Sequence, residues 1–300
     1  VADVLDRLRL LEPSADECDT VRKLYLETDD LRTKVAAACF MLDRRGEDEY
    51  YDYLRCEALR PEDKKDDVYA PQRSALQGIL RFSSIDGRKR EPSAALVRTL
   101  LSRIPFESHA DFSGMRPQVS ALGELGSPAD VPLVAEYCGH QDASLAVTAV
   151  EALSRLKPEL ALEKAKTQIR KYVGAQEPRG GFGCNVAPYL DLIFWQDDKS
   201  AAELLQQAYD KARRGSRYVE AGVLDTPQLL TYLRAVDLET RTRAALDFAK
   251  SRRMDAARLR DVGRRLVAEG AAPETCDPFL HPAAHRPPEP QGRSIEGTHW

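Results

Sequence analysis

Apolar residues along this chain recur at three- and four-residue spacing, and between residues 115 and 173 the resulting helices repeat as a unit. Leu122-Gly-Glu-Leu-Gly126 closes one helical pattern and Leu153-Ser-Arg-Leu-Lys157 closes the next, 31 residues on, which is the period of a two-helix repeat. Within the unit, Asp130 is an N-cap candidate with Pro132 in the first turn, and Val131, Val134, Tyr137 and Cys138 form one apolar stripe. Gly139 and His140 interrupt it. Asp142 then caps a second helix with Ala146, Ala149, Val150, Leu153 and Leu156 on one side. Ser144, Thr148, Glu151 and Arg155 fall mostly on the other side. Pro158 opens a third helix that buries Leu162, Ala165, Ile169, Tyr172 and Val173.

The same period predicts helices over residues 2 to 11, 16 to 27, 31 to 45 and around the tyrosines at 50, 51 and 53, with Gly46 as a stop. Further helices are expected over 71 to 82, 92 to 104, 186 to 195, 200 to 213, 227 to 236, 238 to 251 and 255 to 269. Charge and proline make 60 to 68 a loop, and 105 to 114 reads as irregular. Residues 174 to 185 are glycine-rich and read as a loop inserted at the rim, with Phe182 at its tip as a contact candidate. From residue 271 to 300 proline, histidine and glycine replace the helical period, predicting an extended tail behind one continuous domain of residues 1 to 270.

A helical hairpin of this size cannot bury both apolar faces by itself, so it needs a like hairpin on each side. The run Leu122-Gly-Glu-Leu-Gly-Ser-Pro-Ala-Asp-Val-Pro-Leu-Val134 resembles the HEAT repeat of bacterial HEAT-like proteins. Asp30-Leu-Arg-Thr-Lys34 and Asp237-Leu-Glu-Thr-Arg241 are similar to the Asp-capped start of a second repeat helix. The resemblance implies an all-α, right-handed α-solenoid of HEAT-like helical hairpins, working as a noncatalytic protein-protein interaction scaffold or adaptor. It also implies that second helices line the concave surface. Ser144, Thr148, Glu151 and Arg155, with Arg241 and Arg243 further along, are then the candidate contacts. Two alternatives stand beside it: a nucleic-acid-processing enzyme similar to HEAT-like DNA glycosylases, with Trp195 stacking on a base and Asp197 stabilising a cation, and a structural subunit of a larger extracytoplasmic assembly. The paired His-Glu motifs of HEAT-like di-iron hydroxylases are absent, as none of the five histidines precedes a glutamate.

Composition narrows the partner. With 43% hydrophobic and 31% charged residues this is a folded chain, and no apolar run approaches the roughly 20 residues of a membrane-spanning helix. A net charge of −4 disfavours nucleic acid as the main ligand and leaves another protein, or subunits of a larger complex, as the expected partner. The charge is uneven: residues 1 to 70 hold 12 Lys and Arg against 19 Asp and Glu, whereas residues 241 to 270 hold 9 against 4. Six cysteines, four of them with polar flanks, favour an oxidising, extracytoplasmic setting (periplasmic or secreted) over the cytoplasm, and Cys39 and Cys56 are placed to meet as a disulfide across Gly46. The chain starts at Val1, which implies a removed initiator or leader. Cys276, His281 and His285 supply only three candidate zinc ligands, so neither a metal nor a cofactor is expected.

Overall fold

The computed structural model describes residues 4–5, 13–60, 71–104, 106, 112–174, 187–215, 225–252 and 254–282. Among these residues the regular structure is all helical, with no strand. Chain contacts divide it into two compact units, Val1–Ala161 and Leu162–Trp300.

The first unit holds α1 (Ala15–Glu27), α2 (Leu31–Arg45), α3 (Asp48–Ala58), α4 (Pro71–Ile85), α5 (Arg90–Leu101), α6 (Phe112–Leu125), α7 (Val131–Tyr137) and α8 (Ala143–Leu156). Its helix ends are written locally. Ser14 and Glu17 form a reciprocal capping box ahead of α1, and the Asp30 carboxylate accepts the Thr33 N–H at 2.9 Å to open α2. Gly46, at φ 65°, closes α2 in the left-handed conformation that a side chain would resist. Asp142 caps α8 by accepting the Leu145 N–H at 2.7 Å.

Packing in this unit follows the chain. Helices pair as α1 with α2, α3 with α4, α5 with α6 and α7 with α8, and the second members also meet in order: α2 with α4, α4 with α6, α6 with α8. Phe40, Met41, Leu42, Leu54 and Ile79 are fully buried where α2, α3 and α4 meet, each worth about 1.5–3 kcal/mol of burial. Glycine sets the spacing between second helices. A Cβ on Gly78 of α4 would overlap Cys39 of α2, and one on Gly123 of α6 would lie 2.5 Å from the Ala152 Cα of α8.

The second unit takes most of α9 (Pro158–Gly174), then α10 (Ala187–Gln196), α11 (Ala202–Gly215), α12 (Thr226–Arg234), α13 (Leu238–Ser251), α14 (Ala256–Ala268) and a short α15 (Asp277–Leu280). α12 packs on α11 and α13, while α10 packs on both α12 and α14. Phe194 sits at the centre, its ring 4.9 Å from Tyr232 and 4.8 Å from Phe248.

Three expectations change. Cys39 and Cys56 are not bridged: Cys39 is buried against Gly78 with its thiol 3.7 Å from the Ser74 carbonyl, whereas Cys56 is exposed to solvent on α3. Cys18, Cys138 and Cys276 are buried and not in disulfides, and Cys184 lies outside the described residues. Asp130 does not cap α7 with its side chain. It ends a 3-10 turn, Pro128–Asp130, and its carboxylate turns back to accept the Ser127 N–H at 2.8 Å. The stretch that follows residue 270 begins packed rather than extended, because Gly263 leaves room for Phe279 and Leu280 to close on α14, burying Phe279 and Cys276. Residues 283 to 300 lie outside the described residues, as do residues 175 to 186 with Phe182.

Candidate functional site

The stripe expected on α8 is present as a partly open edge. Glu151 and Arg155 are exposed and Ser144 is half-buried, but Thr148 is buried and its hydroxyl donates to the Ser144 carbonyl at 2.9 Å. Arg155 reaches across to Glu124 of α6 at 3.3 Å. An equivalent pair, Arg81 of α4 with Asp43 of α2, joins the earlier second helices. Ser74, Gln77 and Ser84 of α4 and Arg116 of α6 are exposed on these helices too. These helices thus expose polar side chains of both charge signs.

A different kind of ion pair ties a helix to the turn that follows 32 residues later. Asp130, only 1% exposed, accepts from Arg98 of α5 at 2.8 Å. In the second unit Asp198, which accepts the Ser200 N–H at the start of another 3-10 turn, takes the Lys166 ammonium of α9 at 3.1 Å. Cation and carboxylate are 32 residues apart in both pairs. The hydrogen bond to Asp130 raises the Arg98 pKa. For Asp198, burial pushes the carboxyl up, but Ser200 and Lys166 together hold it below its ordinary value.

The densest charge in the second unit surrounds the end of α10. Asp197 adopts φ 55°, and its carboxylate is taken by Arg241. Arg241 is 7% exposed, and it also donates to Glu269 at 2.6 Å and to the Tyr232 hydroxyl at 3.3 Å. Burial pulls the Arg241 pKa down, and the bonds to Asp197 and Tyr232 more than offset it, leaving it raised. Arg265 donates to the same hydroxyl at 2.8 Å and caps α10 through the Trp195 carbonyl at 2.8 Å and the Phe194 carbonyl at 3.2 Å. Beside this cluster, Arg252 bridges Asp191 at 2.6 Å and Asp225 at 3.0 Å. Burial raises the Asp191 pKa despite that guanidinium. Arg258 lies over the Trp195 ring, 4.7 Å from its centre.

Arg241 is therefore an internal tie rather than a surface group. Arg243, two residues on, is exposed and paired with Glu239 at 2.8 Å. Trp195 and Asp197, the pair expected of a base-processing enzyme, are both engaged by arginines. Among the described residues no group of three or more His, Cys, Asp and Glu is arranged to hold a metal, and no helix is long and apolar enough to cross a membrane. His281 is exposed, 3.8 Å from Asp277, while His285 lies outside the described residues.

Sequence reading missed the cations that hold these carboxylates, since a lone Arg or Lys in a helical pattern carries no label for its partner. The 32-residue offset between basic residue and turn aspartate was the available signal. His140 was missed as well. It is 4% exposed, accepts the Asp142 N–H on Nδ1 at 3.0 Å, and therefore donates from Nε2 to the Phe106 carbonyl at 2.9 Å. No family model, curated protein or solved structure matches this chain.

Proposed function

We propose that the chain is a right-handed α-solenoid of HEAT-like helical pairs that acts as a noncatalytic scaffold, holding another protein against the exposed edge of its second helices. The observation that carries this reading is the order of contacts in the first unit, where α2, α4, α6 and α8 meet one after another while each keeps its own first helix. Such a row repeats one surface several times over, which favours grip on an extended protein surface over a single enclosed reaction site. The 31-residue echo of Leu122 to Gly126 in Leu153 to Lys157, both at the ends of second helices, supports it, as does the return of the Arg98–Asp130 geometry in Lys166–Asp198.

Quantitative affinity capture from the native source tests the assignment. The reading expects a protein recovered with the unaltered chain and reduced roughly tenfold with a Glu151→Lys/Arg155→Glu variant, since charge reversal at a docked surface typically costs 1 kcal/mol or more. Equal recovery by both chains, or no recovered protein, would count against it. Both substituted positions are exposed, so the free energy of unfolding should stay within about 1 kcal/mol of the parent even though the Arg155–Glu124 pair is lost.

A further inference from the structure

In the second unit α9 and α11 end side by side. Lys211 of α11 donates to the Tyr172 carbonyl of α9 at 2.6 Å and to the Val173 carbonyl at 3.1 Å, so the last turns of the two helices touch. Around that junction Arg170, Lys171 and Arg213 are exposed. Among the described residues none of the three is paired with a carboxylate. Two half-buried tyrosines lie among them, with Lys211 5.1 Å from the Tyr172 ring centre and Arg213 5.7 Å from that of Tyr209. Asp210 is the one exposed acid in these last turns. Lys211 alone meets the need of the α9 carbonyls for a cation, so the helix-end dipole does not account for the other three.

We infer that this cationic, tyrosine-bearing corner is a docking surface for an acidic segment of a partner protein, one rich in Asp and Glu. The inference rests on the scaffold reading and names the chemistry of one contact. Charge complementarity selects the occupant: three cations without a carboxylate partner, two at the end of α9 and one at the end of α11, attract carboxylates, and the local surplus is positive although the whole chain is at −4. The tyrosine rings already carry cations on them, which suits side chains approaching from the rim better than bases seeking free faces to stack on.

Fluorescence anisotropy of the full chain with a labelled Asp/Glu-rich peptide provides the test. Binding is expected, weakening steeply as salt rises from about 0.05 to about 0.3 M. An Arg170→Glu/Lys171→Glu variant should bind roughly tenfold or more weakly. An Arg264→Glu variant, altered at an arginine of the same unit already paired with Asp261 at 3.0 Å, should bind as the parent does. No binding, equal loss in both variants, or tighter binding of a single-stranded oligonucleotide overturns the inference. Loss of peptide binding with capture still sensitive to Glu151 and Arg155 would leave the scaffold reading standing. Peptide binding without that sensitivity would do the reverse.

Discussion

Arg241 shows how much one buried side chain is asked to hold. Its guanidinium serves Asp197, Glu269 and Tyr232 at once, so Arg241→Ala would leave two carboxylates without their cation, at a cost of roughly 3–5 kcal/mol by urea denaturation. Arg241→Lys should recover only part of it, because one ammonium cannot match the planar fork. Asp191 behaves in the opposite sense. Burial raises its pKa above the ordinary 3.8, so the folded chain holds that proton more firmly than the unfolded chain does. The stability this gives is complete below the ordinary value and is lost as pH rises through the folded one. Asp191→Asn removes the titration while Arg252 keeps Asp225. Melting curves from pH about 4 to about 7 should then show the variant gaining on the parent as pH rises, by something on the order of 1 kcal/mol. A variant that falls behind the parent at neutral pH would show that the ion pair outweighs burial.

At the scale of elements, the predicted helices 31 to 45 and 238 to 251 coincide with α2 and α13, because Asp30, Gly46 and Asp237 state their ends in local chemistry. Position 130 went differently, since an aspartate after Ser-Pro-Ala reads as a cap until Arg98 draws it inward. The polar edge of α8 was legible in its spacing, yet the burial of Thr148 was not, because its hydroxyl folds back on its own helix. The cysteines misled for a related reason: Cys18 and Cys276 have polar neighbours in sequence but are buried in the fold. Gly123 tests the close approach of α6 and α8 directly. Gly123→Leu must push Ala152 away, and the chain should lose roughly 1–3 kcal/mol or more, whereas the same change at the open Gly87 should cost little. Comparable losses at both sites would mean helix spacing is not what Gly123 secures.

For the molecule as a whole, the proposal put to the test is the solenoid, in which helical pairs succeed one another instead of gathering round one centre. Small-angle X-ray scattering on the 300-residue chain measures this directly. A compact chain of that length has a radius of gyration of roughly 19 Å. The solenoid reading predicts a value well above that, with a skewed interatomic distance distribution trailing to long distances. A symmetric distribution with a radius near the compact value would contradict it.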